Sequence, residues 1–161
     1  MALSGPLDRG VALKLAATLN PLLQSVSGPV VQVGRPLNLT YPPTASVSVC
    51  KQLPTGELET IVFVAELCQP HWTQAALAKL VERLTPNGRV LFAEPVCGTG
   101  LASQAQRLLA PLTNKRWGYT FTRDIPADLR LAGMTVTSVN RVFVEPVPTL
   151  FTYAAGDARF Y

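Results

Sequence analysis

The chain has 161 residues, 48% hydrophobic and only 15% charged, with a formal net charge of +4 and a pI near 9.2. That length holds one domain with a real core, the apolar content excludes a disordered chain, and no apolar run is long enough to span a bilayer. The charge lies below the roughly 25% of typical soluble domains, which points to a surface covered by partners, and its scattered basic excess disfavours nucleic acid as that partner.

The first 28 residues read as a helical segment, with helix from about Leu7 to Val26, an interruption near Asn20-Pro21, and Gly28-Pro29 as its end. Leu7, Val11, Leu15 and Leu19 recur every four residues, and the first 56 residues hold one acidic side chain, Asp8, against Arg9, Lys14, Arg35 and Lys51. Two readings fit: a first helix packed on a sheet, which we prefer, or an acid-poor mitochondrial presequence.

Residues 29–161 read as a sheet core within one domain spanning 1–161. Val30–Val33 is a short buried strand and Leu37–Pro43 a loop. Ala45–Val49 is a second strand, and Lys51–Glu59, with Pro54 and Gly56, is a turn. Ile61–Leu67 is a continuous apolar strand of the kind found at the centre of a parallel sheet. Pro70 opens a helix to about Leu84 with Leu77, Leu80, Val81 and Leu84 on one stripe. Pro86-Asn87-Gly88 is a turn before the strand Arg89–Ala93, which ends at Glu94-Pro95.

Gly98-Thr99-Gly100 precedes a helix over about Leu101–Leu112, with Leu101, Ala105, Leu108, Leu109 and Leu112 on one side. Asp124 is placed to cap a further helix with Pro126 in its first turn and Gly133 at its end. Met134–Val144 and Thr149–Arg159 read as an antiparallel pair of strands. The alternation gives an α/β, Rossmann-like doubly wound sheet of reduced size with a C-terminal antiparallel hairpin.

Several segments carry a resemblance. Leu84-Thr85-Pro86-Asn87-Gly88-Arg89-Val90-Leu91-Phe92-Ala93-Glu94 resembles the L-x-P-G-G-x-L-x-x-x-E segment of class I S-adenosylmethionine-dependent methyltransferases. Gln106–Leu112, Gly118–Asp124, Arg130–Met134 and Tyr153–Arg159 are similar to later segments of the thiol and small-molecule methyltransferases. The resemblance runs from about Val30 to Tyr161 and implies an S-adenosylmethionine site at the strand ends.

Against that pattern the site residues are altered. The family's first loop reads acidic-x-G-x-G-x-G; this chain has Gln32 at the acidic place, keeps Gly34, and continues Arg35-Pro36-Leu37-Asn38. Proline has no N–H to offer a ligand and restricts the residue before it. The family's second strand ends in a carboxylate that binds the ribose hydroxyls; here it ends Cys50-Lys51, and neither side chain provides that acceptor pair. The nine residues Lys51–Glu59 replace a helix, a strand and a helix. Gly34, Arg35, Pro36, Asn38 and Cys50 are thus the vestigial cofactor positions, and neither a cofactor nor a small-molecule substrate is expected.

Single residues allow bolder readings, each with a plainer rival. Glu66 could be a general base, but reads as a surface carboxylate near a helix. Cys68 could be a nucleophile, but has only His71 as a nearby base and reads as a buried thiol. Gly98-Thr99-Gly100 lacks the Lys-Ser/Thr of a phosphate loop. Lys115-Arg116-Trp117, with Tyr119 and Phe121 beyond, could bind nucleic acid, but reads as a solvated turn before a helix. The cysteines Cys50, Cys68 and Cys97 are odd in number and widely spaced, so no disulfide frame or metal site is expected, and an intracellular protein is.

The expectation is a catalytically inactive methyltransferase-like protein serving as a structural, accessory or assembly subunit of a larger complex, with a mitochondrial respiratory or ribosomal one as a possible home. Its partners would be other protein subunits. The alternative is an active S-adenosylmethionine-dependent methyltransferase with an atypical site. A third reading is an RNA-binding relic. Loss of the third strand would leave Ala45–Val49 as an uncharged open edge, to be covered by a partner or by the N-terminal segment.

Overall fold

A computed structural model describes residues 9–143 and 151–161. Four helices, α1 (Arg9–Leu23), α2 (Gln74–Glu82), α3 (Gly100–Trp117) and α4 (Ile125–Leu131), accompany six strands: β1 (Gly28–Gly34), β2 (Ala45–Cys50), β3 (Leu58–Val64), β4 (Leu84–Val96), β5 (Thr135–Phe143) and β6 (Thr152–Arg159). They form one sheet in the order β2-β1-β3-β4-β6-β5. The first four are parallel, and β6 runs antiparallel to both β4 and β5. The reduced sheet and the closing hairpin are as the sequence predicts.

Alternation along the strands makes two cores. Val30, Val62, Leu91, Ala93 and Tyr153 face one side, where α1 lays Leu15, Leu19 and Leu23 over them. Val33, Ile61, Phe63, Val90 and Phe92 face the other, covered from α2 and α4 by Leu77, Leu80, Ile125 and Leu129. Ile61–Val64 of β3 and Val90–Ala93 of β4 are buried on both faces, hence their unbroken apolar sequence. Gly156 lies opposite Phe92 because a Cβ there would sit 2.1 Å from the Ser138 carbonyl oxygen and 3.0 Å from the Phe92 ring.

The connections flanking β2 are the unusual part. A parallel crossover ordinarily takes about a dozen residues with a helix. Here β1 reaches β2 through residues 35–44, and β2 reaches β3 through residues 51–57, both without a helix. Lys51–Glu59 is therefore a bare crossover rather than a simple turn. Leu53 packs into the second core, Arg83 donates to the carbonyls of Pro54 and Gly56, and Leu58 N–H donates to the Arg83 carbonyl at 2.8 Å.

Other boundaries move for local reasons. α1 continues through Pro21, which sits on its exposed side near its end. α2 starts at Gln74 rather than Pro70, because Thr73 caps it by accepting the Ala76 N–H at 3.2 Å. β4 takes in Pro86-Asn87-Gly88, with Asn87 at φ +64°, as an irregularity between Leu58 and Thr60 of β3. α3 runs on to Trp117, so Lys115 and Arg116 form its last turn instead of a solvated loop, and Tyr119 and Phe121 beyond are core residues. Asp124 caps α4 through the Ala127 N–H, and Gly133 follows it at φ +99°. The reading of a strand start at Thr149 falls on residues 144–150, outside the described ones.

Candidate functional site

The order β2-β1-β3-β4 places the C-terminal ends of β1 and β3 side by side, where an open α/β sheet binds ligands. At this edge Gly34 adopts φ +109°, and a Cβ on it would lie 2.1 Å from the Val64 carbonyl oxygen. The backbone of β1 thus lies directly on that of β3. The next residue seals the approach: Arg35 N–H donates to the same Val64 oxygen at 2.8 Å. The Arg35 guanidinium lies over the Tyr119 ring, 6.0 Å from its centroid.

From Pro36 the chain leaves the crevice and crosses the sheet face. Gln32, buried in β1, donates its Nε2–H to the Leu37 carbonyl at 3.0 Å and accepts the Tyr41 hydroxyl at 2.8 Å. These bonds hold residues 37–41 over β1 and β2. Burial raises the Tyr41 phenol to about 12. Pro36 and Asn38 line a groove with Leu39, Tyr41, Val47 and Val49, of about 660 Å³. Cys50, half-buried, ends β2 opposite Val33. Of the five vestigial positions, then, Gly34 and Arg35 meet at the crevice, Pro36 and Asn38 belong to the groove, and Cys50 closes the neighbouring strand.

The loop after β3 is organised by a residue that the sequence presents only as part of the family resemblance. Ala65 takes φ +48°, and the following N–H groups converge on Glu94: Glu66 and Leu67 donate to Oε1 at 2.9 and 3.0 Å, and Cys68 to Oε2 at 3.2 Å. Successive amides of this kind make an anion nest, and the chain's own carboxylate fills it. Glu94 is fully buried, and burial pushes its pKa up to about 7 against the pull of those three amides. The available signal was a lone acid in the apolar run Val90–Val96, since a buried carboxylate must have partners.

The bold readings of single residues take definite form here. Cys68 is 4% exposed, and burial, reinforced by Glu94, pushes its thiol far above the usual range, which suits a buried thiol and not a nucleophile. Glu66 is half-buried rather than a surface carboxylate: its Oε1 accepts Trp72 Nε1–H at 3.2 Å and lies 3.2 Å from His71 Nε2. Arg123 ties the loop to α4, donating to the Leu67 carbonyl at 2.8 Å and to Asp128 Oδ2 at 2.7 Å. Tyr119 and Tyr153 hydrogen-bond through their hydroxyls in the core, and burial raises both phenols. Among the described residues no cluster of three or more His, Cys, Asp or Glu could hold a metal ion.

No protein-family model and no curated protein sequence matches the chain. Solved structures do. A SAM-dependent methyltransferase of Thermotoga maritima superposes with a TM-score of 0.59 at 13% identity, over 93% of this chain and 89% of that one. A chain of the Haloferax volcanii complex between the Trm112 methyltransferase activator and a methyltransferase gives 0.57 at 11%, over 90% and 88%. The N-methyltransferase NodS of Bradyrhizobium japonicum gives 0.53 at 16%, over 94% and 95%. The fold is that of the class I S-adenosylmethionine-dependent methyltransferases. Other matches are far longer: the chain spans 41% of LepI, described in complex with SAM, at a TM-score of 0.52.

The methyltransferase fold implies S-adenosylmethionine, and the residues at this crevice do not fit it. Directly after Gly34 the first loop turns its Arg35 N–H into the sheet, and the next residue, Pro36, has no N–H. The end of β2 has a thiol and an ammonium where two hydroxyls need an acceptor. The Arg35 side chain lies across to Tyr119 over the strand ends.

Proposed function

We propose that the chain is a catalytically inactive methyltransferase-like protein that serves as a structural, accessory or assembly subunit of a larger protein complex. The observation that carries this is the bond from Arg35 N–H to the Val64 carbonyl, 2.8 Å long. It spends on the protein itself the amide that a cofactor loop would present to its ligand. The surface role rests on β2, an edge strand with Val47 and Val49 exposed and no charge along Ala45–Val49. An open edge recruits another chain, and the adjoining apolar groove enlarges the contact. The described N-terminal helix α1 packs on β4, β5 and β6, so it does not cover this edge. A protein partner is in keeping with the Haloferax volcanii structure, where a chain of this fold accompanies an activator.

An intracellular address, and a mitochondrial respiratory or ribosomal complex within it, forms part of the proposal and rests on composition alone. Among the described residues no helix is long and apolar enough to cross a membrane. Calorimetric titration with S-adenosylmethionine tests the central point. We expect no binding; micromolar binding would overturn this reading and favour the alternative, an active methyltransferase with an atypical site. Native co-purification then names the partner.

A further inference from the structure

The 18-residue α3 is turned opposite to the usual amphipathic pattern. Among its described side chains the fully buried ones are polar, Gln106 and Thr113, with Leu109 partly buried beside them, while Leu101, Leu108 and Leu112 are 82%, 83% and 63% exposed. The cause is the loop before it. Gln106 accepts the Gly98 N–H at 2.7 Å and reaches toward the Val96 carbonyl at 3.5 Å. Rotating the leucines inward would break those bonds. With Ala105, the three leucines recur at intervals of 4, 3 and 4 residues, the spacing of a helix–helix seam.

We propose that this outer face of α3 docks an amphipathic helix of another protein whose flanks are acidic. Charge selects the occupant. α3 contains no Asp or Glu; its charged residues are Arg107, Lys115 and Arg116, and Lys115 takes the next seam position after Leu112. A second copy is therefore a poor fit: parallel pairing sets Lys115 against Lys115, and antiparallel pairing brings both Arg107 side chains to one rim near the symmetry axis. Like charges in such positions are unfavourable. A lipid surface is served better by a wide apolar face than by a narrow seam of three leucines. This surface is distinct from the β2 edge and stands whether or not the crevice is catalytic.

The test uses the full chain and two labelled synthetic helical peptides with leucines at seam spacing, one flanked by glutamates and one by lysines, read by fluorescence anisotropy. We expect the acidic peptide to bind, with affinity falling as salt rises, and Leu108→Gln with Leu112→Gln to weaken it about tenfold or more. Because both leucines are exposed, circular dichroism should show an unchanged fold. No binding of the acidic peptide, or equal binding of the basic one, overturns the proposal. So does a concentration-dependent dimer that the double variant abolishes, which would assign the face to a second copy. Binding to phosphatidylserine vesicles that the same variant abolishes would assign it to membrane.

Discussion

Arg35 donates its backbone N–H to the carbonyl oxygen of Val64 at 2.8 Å, and Gly34 makes that approach possible by leaving no Cβ between the two strands. Replacing Gly34 by alanine would put a methyl group 2.1 Å from that oxygen and hold a side-chain-bearing residue at φ +109°. We expect Gly34→Ala to lose on the order of 3 kcal/mol of stability. Urea unfolding reads this as a lower midpoint; an unchanged midpoint would mean the strands do not meet this closely.

Arg89 and Asp157 form an ion pair across β4 and β6, Nε to Oδ1 at 2.8 Å, with both side chains under a tenth exposed. The other donors of Arg89 reach Ser25 Oγ and the Leu22 carbonyl, so the pair also ties down the end of α1. Asp157→Ala leaves the guanidinium buried without its counter-charge and should cost about 3–5 kcal/mol. The double variant Arg89→Met, Asp157→Leu should recover much of that loss, because the buried charge is gone and Arg159, the other partner of Asp157 at 3.4 Å, is 36% exposed and can be solvated. A double variant as unstable as Asp157→Ala would show that shape, not charge, governs the site.

Glu94 gives stability a pH dependence of definite sign. Its carboxyl is raised from 4.5 to about 7 in the folded chain, chiefly by burial. A raised group contributes stability that is present below the unfolded value and is lost as pH rises through the folded one. The window is thus pH 4.5 to 7, and the loss across it about 3 kcal/mol. Denaturant titrations at several pH values should show wild type weakening through this window more steeply than Glu94→Gln, which cannot ionise. Parallel curves would remove Glu94 as the cause.

The β2 edge can be tested without endangering the core. Val47 and Val49 are 36% and 72% exposed, so Val47→Lys with Val49→Lys should change stability by only about 0.5 kcal/mol per site. Circular dichroism should be unaltered while entry into the native complex falls. A folded variant that still assembles at wild-type level would move the contact away from β2.

Much of this architecture is local and can be read from residue order. Two-sided burial made the centres of β3 and β4 continuous apolar runs, Ile61–Val64 and Val90–Ala93, Asp124 and Pro126 announced α4, and the short Lys51–Glu59 interval excluded a further strand and helix. The altered cofactor loop was legible for the same reason: a missing N–H at Pro36 is a covalent property of the chain. What depends on distant partners was not legible. Glu94 reads as the end of a strand until the chain returns three amides to it from residues 66–68. The sequence puts Leu101, Leu108 and Leu112 of α3 on one side without saying which way it faces, and the hold of Gln106 on Gly98 turns that side outward. Periodicity tells which residues of a helix share a side. Which side meets the sheet is decided by the polar groups that tertiary contact must satisfy.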